Sequence, residues 1–266
     1  MIRHKDFIYL DLEKTACSHI RKLILKYFDA AEDTNKHKIL TSKADLINKD
    51  IIGSVRHPYD WYVSHFLYGY HKGGAIRHLY KKSFFQNLLN MSLLDLKKNG
   101  LPDFDTFYKA DDKKEFKKWL FSILNKKSKY YFKNLNYQKR DKYFHSNSFG
   151  YQHLSNQKTG LFTQHFLNMY FLNYAALHPD DFYEVNEYTK TGLIPDHFIK
   201  VENLETDFSN IFSKYNPIIT TDELSKSEKT NTSVKGYDVE HYLDNECKTL
   251  IKQKDNYIFE LFGYQD

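Results

Sequence analysis

The chain has 266 residues, 41% of them hydrophobic, 17% aromatic and 27% charged, a composition that excludes a disordered polymer and suffices for one domain with a hydrophobic core. Its net charge of +5, from 39 basic and 34 acidic residues, suits an anionic ligand but does not indicate a nucleic-acid partner. The sequence lacks both the ~18 consecutive apolar residues of a membrane-spanning helix and the apolar run of a signal peptide, so we expect a cytoplasmic protein without a membrane span.

The first thirty residues predict a strand, a turn and a helix. FIYLDL (7–12) is a short run of large apolar side chains, which indicates a buried strand. EKTACS (13–18) follows as a turn, and the helix after it is indicated by apolar residues at helical spacing, namely Ile20, Leu23, Ile24 and Tyr27. A strand that leads directly into a helix is typical of an anion site, because the helix N-terminus presents unpaired N–H groups and the positive end of the helix dipole.

The turn itself has the residue types that anion binding needs. Lys14 adds a mobile positive charge, and Thr15 and Ser18 add hydroxyl groups. The small residues Ala16 and Cys17 let the backbone approach a phosphate. The segment is not a Walker A loop, because G-x-x-x-x-G-K-S/T is absent. Taken alone, the segment favours an ordinary strand–turn–helix unit that carries a surface lysine over an anion site.

The next segments extend an alternation of strands and helices. HKIL (37–40) is a candidate second strand, and residues 42–49 are a candidate short helix. IIGSV (51–55) is a candidate third strand that ends at Arg56, and Pro58 suits the first turn of a new helix. This alternation predicts parallel βαβ units.

Arg56 and Ser64 form a second candidate anion-binding pair. Arg56 follows the predicted strand, and Ser64 lies about two turns into the predicted helix. Arginine offers a bidentate fork and serine a hydroxyl, so the strand end and the helix face could converge on one phosphate. The alternative is that Arg56 caps a helix while Trp61 and Tyr62 belong to the core.

The middle and the end of the chain differ in character. Residues 72–159 are lysine-rich, aromatic and mostly helical in pattern. Within them, residues 126–142 have two interpretations. They are a solvated helix and loop, or they have a function, as a positively charged wall for an acidic acceptor or as a mobile lid. HFIKVENL (197–204) predicts a strand that runs into a loop, a helix is expected from Asp207 onward, and 220–238 is expected to be a polar loop. A long amphipathic helix closes the chain, with its buried face marked by Val239, Tyr242, Leu243, Leu250, Ile251, Ile258 and Leu261.

Together the two motifs resemble those of the sulfotransferase superfamily, whose members use 3′-phosphoadenylyl sulfate. The family's first motif is P-K-T-G-G-T-S, or P-K-x-A-C-T in carbohydrate sulfotransferases, and here it stands as Glu13 to Ser18. The second is R-x-P-x-x-x-x-x-S, and here it runs from Arg56 through Pro58 to Ser64. The resemblance extends over residues 5–70 and is absent from the middle of the chain. It is weaker over 160–210 and 231–264, where later family blocks are resembled by GLFTQHF, IKVENLETDF and IFELFGY.

The resemblance implies a fold and a reaction. The fold would be α/β, with a P-loop-NTPase-like parallel sheet flanked by helices, in one sulfotransferase-like domain (1–266) with a helical insertion (72–159). The reaction would move a sulfuryl group from 3′-phosphoadenylyl sulfate to an acceptor hydroxyl, with a saccharide as the expected acceptor, and would release 3′,5′-adenosine bisphosphate. No metal is required.

The resemblance also assigns roles to residues. Lys14 would neutralise charge on the bridging and leaving oxygens, and Arg56 with Ser64 would hold the 3′-phosphate. The 5′-phosphate that carries the sulfuryl group would be held by Thr15, Ala16, Cys17, Ser18 and His19. The sequence departs from the family at Glu13, where a proline is usual, at His19, where Ser, Thr or Asn is usual, and at Ala16 and Cys17, which replace two glycines.

The acceptor must lose a proton, and a neutral histidine or an ionised glutamate can take it. His37 is the first candidate for this general base, because the family commonly places its base between the two phosphate motifs. His19, Glu13 and Glu202 are the alternatives. Cys17 at a helix N-terminus could act as a nucleophile, but direct transfer needs no covalent intermediate, and we expect both cysteines (Cys17 and Cys247) to be reduced thiols without metal-ligand spacing.

Two other functions remain open from the sequence. A small-molecule kinase of the P-loop type would need a Walker A loop and a magnesium-holding aspartate, and neither is visible. A non-catalytic nucleotide-binding module would bind the donor nucleotide and transfer nothing.

Overall fold

The computed structural model describes residues 1–40, 47–72, 108, 111–124, 159–171, 192–226 and 238–265. Its strands are β1 (Ile2–Arg3), β2 (Phe7–Tyr9), β3 (Glu32–Asp33), β4 (Asp50–Val55) and β5 (His197–Lys200). They form one sheet in the order β3-β1-β2-β4-β5. The protein is therefore α/β, and its described residues form a five-stranded mixed sheet flanked by helices.

The helices among the described residues have these bounds: α1 (Cys17–Tyr27), α2 (Pro58–Lys72), α3 (Lys113–Leu124), α4 (Leu161–Tyr170), α5 (Leu204–Phe212), α6 (Thr221–Ser225), α7 (Val239–Tyr242) and α8 (Asn245–Phe262). A short 3-10 helix, Val201–Asn203, joins β5 to α5. None of these helices is both long enough and apolar enough to cross a membrane.

Contacts divide the chain into two compact units. Among the described residues, the first contains 1–57 and 164–226, and the second contains 58–124, 159–163 and 238–265. The whole sheet belongs to the first unit. The expectation of a single domain over 1–266 stays a prediction.

The sheet is mixed because its N-terminal edge is antiparallel. β2 pairs in parallel with β4, and β4 pairs in parallel with β5. β1, however, pairs antiparallel with both β2 and β3. Only residues 4–6 separate β1 from β2, and so short a connection permits a hairpin but not a parallel crossover. The prediction of a parallel sheet is therefore wrong at this edge.

The core of the first unit lies between the sheet and helices α1 and α5. The ring of Phe7 on β2 packs edge-on against Phe28 and Phe212, with centroids 5.1 and 5.0 Å apart. Fully buried residues of α1 and α5 add to this core, among them Ile20, Ile24, Phe208 and Phe212. The apolar stripe that predicted α1 is thus the face that it buries against the sheet.

The second unit, as far as it is described, is helical. Helices α2, α3, α7 and α8 contact one another. Trp61 on α2 stacks on Phe162 at a centroid distance of 4.6 Å, and Phe66 meets Trp119 of α3 at 5.6 Å. Helix α8 is interrupted at Asp255, whose backbone is not helical (φ −113°, ψ 23°).

The predicted elements fare unevenly. The strand at 51–55 and the helix from Pro58 are confirmed, and the strand at 7–12 exists but ends at Tyr9. The predicted strand 37–40 is wrong, because residues 36–37 form a turn and residues 38–40 belong to no helix or strand.

Later in the chain, the helix predicted from Asp207 begins at Leu204, and the single C-terminal helix is two helices. Most of 42–49 and of 72–159, including all of 126–142, lies outside the described residues.

Candidate functional site

The turn after β2 ends in a helix N-terminus without a capping side chain. Lys14 (φ 65°) and Ala16 (φ 54°) both adopt the left-handed conformation. Ala16 is the N-cap residue of α1; it has no side chain that can accept a hydrogen bond, and the first turn of α1 carries no acidic residue. Because the N–H groups of Cys17 and Ser18 precede the first intrahelical bonds, this end of α1 is suited to an anionic ligand.

Two lysines lie close to this helix end. Lys14 is half-buried within the turn, and Lys36 donates from its Nζ to the hydroxyl oxygen of Ser18 at 2.8 Å. Burial raises the pKa of Cys17 to about 11, with Asp11 acting in the same direction and Lys36 against it. A neutral, buried thiol favours the interpretation of Cys17 as a small spacer rather than a nucleophile.

The hydroxyl of Thr15 points inward and is used by the protein itself. Thr15 is completely buried; its Oγ1 donates to the carbonyl of Leu12 at 2.8 Å and lies 2.7 Å from Oγ of Ser54. This contact joins the turn to the end of β4. Thr15 can therefore meet a ligand through its backbone N–H but not, in this arrangement, through the hydroxyl that the sequence suggested.

His37 is held against Asp11, which lies two residues after the end of β2. Its backbone N–H donates to Oδ1 of Asp11 at 3.0 Å, and its Nδ1 lies 2.8 Å from the carbonyl oxygen of Asp11. Since a carbonyl oxygen can only accept, Nδ1 must carry a proton. In the neutral imidazole Nε2 then holds the lone pair, which is the form that a general base requires.

Asp11 is a residue that the sequence analysis did not single out. It is fully buried, and its Oδ2 accepts from Nη1 of Arg21 at 2.7 Å while Oδ1 accepts from the His37 backbone. Arg21 also donates to the carbonyl of Thr34 at 2.7 Å. Asp11 therefore ties α1 and the 34–37 segment to the end of β2. The sequence signal that could have revealed Asp11 is an acidic residue within an apolar run, because a buried carboxylate needs hydrogen-bond donors or a positive charge beside it.

The ends of the parallel strands bring Arg56 to the edge of the sheet where the Lys14 turn begins. Leu10 N–H donates to the Ile52 carbonyl at 2.8 Å, so the carboxyl ends of β2 and β4 are neighbours. Half-buried Arg56 directly follows β4. Glu202, just after β5, is exposed, and its Oε1 accepts the backbone N–H of His57 at 2.6 Å. This contact gives the Glu202 carboxylate a structural role, and its alternative role as the base stays a prediction.

The remaining predicted residues are placed as follows. His19 is buried, with 7% of its surface exposed, and its N–H donates to the Ala16 carbonyl at 2.9 Å. Glu13 is half-buried in the turn. Ser64 is buried on α2 and belongs to the second unit, whereas Lys14 to His19, His37 and Arg56 belong to the first.

A second histidine lies within electrostatic range of His37. Burial lowers the pKa of His165, on α4, to about 3, and His37 acts in the same direction. His165 is therefore neutral at ordinary pH. It belongs to the GLFTQHF block, but only the fold reveals that it is a neighbour of the candidate base.

No protein-family model, curated protein or solved structure matches this chain. Within the described residues, no group of three or more His, Cys, Asp or Glu side chains is arranged to hold a metal ion.

Proposed function

We propose that this protein is a sulfotransferase that moves the sulfuryl group of 3′-phosphoadenylyl sulfate to an acceptor hydroxyl. The bond between sulfur and the bridging oxygen of the donor breaks, and a bond forms between sulfur and the acceptor oxygen. The acceptor proton passes to the protein, and 3′,5′-adenosine bisphosphate leaves. We also propose that the α/β sheet belongs to a P-loop-like fold, which is the fold that the two motifs suggest.

The observation that carries this proposal is the N-terminus of α1. It follows the buried strand β2 after the turn that carries Lys14, has no capping side chain, and has Lys36 hydrogen-bonded to Ser18 in its first turn. The fixed N–H groups and the two lysine cations together would hold the sulfate-bearing 5′-phosphate and neutralise the charge that develops on the leaving oxygen. Such positioning and electrostatic stabilisation can supply most of the catalysis in group transfer of this kind.

Arg56 is the residue that we assign to the 3′-phosphate, with Ser64 as the partner that the resemblance implies. Arg56 follows β4, the parallel neighbour of the strand that leads into the Lys14 turn. An arginine fork can bind a phosphate through two parallel hydrogen bonds. This contact would separate 3′-phosphoadenylyl sulfate from ATP and AMP, which lack the 3′-phosphate.

His37 is the proposed general base. Its Nδ1–H is engaged by the Asp11 carbonyl, which leaves Nε2 as the basic nitrogen of the neutral ring. Asp11 lies three residues before Lys14 in the chain, so the proposed base and the proposed sulfate-binding lysine are attached to the same short segment. The saccharide nature of the acceptor rests on the Ala-Cys form of the first motif, and a cytoplasmic location stays a prediction.

The test compares the thermal stabilisation produced by three nucleotides. We expect 3′,5′-adenosine bisphosphate to raise the melting temperature far more than AMP or ATP does, and Arg56→Ala to erase that difference. Lys22→Ala, which removes an exposed cation from α1, is the charge-matched control and should behave as the wild type. Equal stabilisation by all three nucleotides would overturn the assignment of a 3′-phosphate site.

Turnover separates the proposal from its alternatives. The wild type should transfer radiolabelled sulfate from the donor to at least one member of a panel of sugars, lipids and small alcohols. Binding of 3′,5′-adenosine bisphosphate without transfer to any acceptor would favour a nucleotide-binding module. Magnesium-dependent phosphoryl transfer from ATP would favour a kinase.

A further inference from the structure

A tyrosine fills the gap that opens where β2 leaves the sheet. Leu10 N–H donates to the Ile52 carbonyl, and in a parallel ladder the next residue of β4 to face β2 is Ser54. At Ser54, both the N–H and the carbonyl oxygen instead lie 2.8 Å from the phenol oxygen of Tyr170. The same phenol oxygen lies 3.3 Å from the Leu10 carbonyl. Tyr170 thus takes the place of the strand at the point where the chain turns toward Lys14.

A chain of buried hydroxyl groups runs from this point into the turn. Oγ of Ser54 lies 2.9 Å from the Tyr9 hydroxyl and 2.7 Å from Oγ1 of Thr15. Thr15 gives its one hydroxyl proton to the Leu12 carbonyl, so Ser54 must donate to Thr15 and Tyr9 must donate to Ser54. Burial raises the pKa of both Tyr9 and Tyr170, which keeps both phenols protonated and able to donate.

The hydroxyl chain ends at the strained part of the turn. Thr15 lies between Lys14 and Ala16, which both have the positive φ that glycine adopts readily and other residues avoid. A strained backbone of this kind persists only where its surroundings hold it in place. The described contacts of the Thr15 hydroxyl, to Leu12 and Ser54, provide that restraint.

We propose that Tyr170, acting through Ser54 and Thr15, is a positioning residue for the proposed 5′-phosphate-binding turn. It holds the end of β4 in the position from which Ser54 can donate a hydrogen bond to Thr15. Thr15 in turn fixes the position of Lys14 and of the first N–H groups of α1. Tyr170 makes no contact with substrate in this role. The inference rests on the proposed function, because it takes the Lys14 turn as the site of the 5′-phosphate.

The test measures how well the protein senses the 5′-phosphate. Dissociation constants for 3′,5′-adenosine bisphosphate and adenosine 3′-monophosphate are compared, since only the first carries a 5′-phosphate. In Tyr170→Phe, the preference of the protein for the bisphosphate should fall about tenfold. This is the effect expected when the displaced turn loses one hydrogen bond to the charged 5′-phosphate. Affinity for the monophosphate should stay unchanged, which a general loss of structure would not allow.

Tyr62→Phe is the matched control. It removes an equally buried phenol oxygen, one that donates to Asp255 in the second unit, and it should lower stability without changing the nucleotide preference. If Tyr170→Phe does not fold, Ser54→Ala carries the test, because it breaks the hydroxyl chain while keeping the backbone contacts of Tyr170.

The possible outcomes separate the two proposals. A wild type that shows no preference for the bisphosphate would overturn the proposed 5′-phosphate site and this inference with it. A wild type with the preference, together with a Tyr170→Phe or Ser54→Ala variant that retains it in full, would overturn this inference alone.

Discussion

Asp255 allows a prediction about stability whose sign and size follow from its contacts. It is a fully buried carboxyl group at the break in α8. Tyr62 donates its hydroxyl to Oδ2 at 2.6 Å, and Thr163 donates its N–H and its hydroxyl to Oδ1 at 2.8 and 2.7 Å. Burial raises the pKa of Asp255 to about 6, although these hydrogen bonds favour the carboxylate.

The raised pKa makes the folded protein less stable as the pH increases. In the unfolded chain the group has its ordinary pKa of 3.8, so between that value and about 6 the folded state binds the proton more tightly. Stability from this group is fully present below the unfolded pKa and is lost as the pH rises through the folded pKa. This difference between the folded and unfolded pKa of Asp255 corresponds, over its full pH range, to about 3 kcal/mol of unfolding free energy.

Asp255→Asn isolates this contribution, because asparagine does not titrate, can accept from Thr163 and can donate to the Tyr62 oxygen. Urea denaturation between pH 4 and pH 7.5 gives the unfolding free energy of each protein. The wild-type value minus the variant value should fall by about 2.5 kcal/mol as the pH rises from 4 to 7, because at pH 4 the unfolded group is already partly ionised, and should be constant above that. A difference that stays flat or rises would mean that the bonds from Tyr62 and Thr163 outweigh burial, and the reasoning would fail.

Asp244→Asn, at the N-cap of the same helix, is a control of opposite sign. Burial raises the pKa of Asp244, but bonds from Lys117 and from the Cys247 N–H outweigh it and lower the pKa to about 2. Its contribution is therefore present above pH 3.8 and is lost as the pH falls toward 2. The two variants should show opposite slopes in separate pH ranges.

The other predictions concern the site and one close contact. His37→Ala should lower turnover by about 10²–10⁴-fold and leave the binding of 3′,5′-adenosine bisphosphate unchanged. The control is His241→Ala, which removes an exposed histidine. Intact turnover in His37→Ala would disprove the assignment of the base. Lys14→Ala should reduce turnover more than donor binding, in steady-state kinetics beside Lys22→Ala. Gly160→Ala should cost about 1–3 kcal/mol of unfolding free energy in chemical denaturation, since its Cβ would overlap the carboxylate of Asp255; an unchanged stability would contradict this clash.

The sequence predicted those elements whose local pattern and tertiary role agree. The strand β4 is an apolar run ended by Arg56, and α2 begins at a proline that suits a first helical turn. The predicted strand at 37–40 failed because tertiary contacts decide that segment: Asp11 binds both the N–H and the ring of His37, whose φ is 57°. β1 and β3 have two residues each, too few to show any periodicity.

The candidate site was predictable only where its residues are close in the chain. The Lys14 turn and Arg56 came from residue types next to predicted strand ends. Tyr170 contacts Ser54 from 116 positions away, and His37 contacts Asp11 from 26 positions away. Such contacts have no local signature, so the residues that hold the site in place emerge only from the fold.

The buried hydroxyl chain also explains how this turn can exist without the usual glycines. A left-handed conformation costs a non-glycine residue about 1–2 kcal/mol, so Lys14 and Ala16 together store about 2–4 kcal/mol. Three bonds, from Thr15 to Leu12, from Ser54 to Thr15 and from Tyr9 to Ser54, contribute about 1 kcal/mol each. The two quantities are of similar size, so the strain is offset but with little to spare. We therefore expect Ala16→Gly, which relieves strain at that position, to restore in Ser54→Ala part of the nucleotide preference that the serine substitution removes.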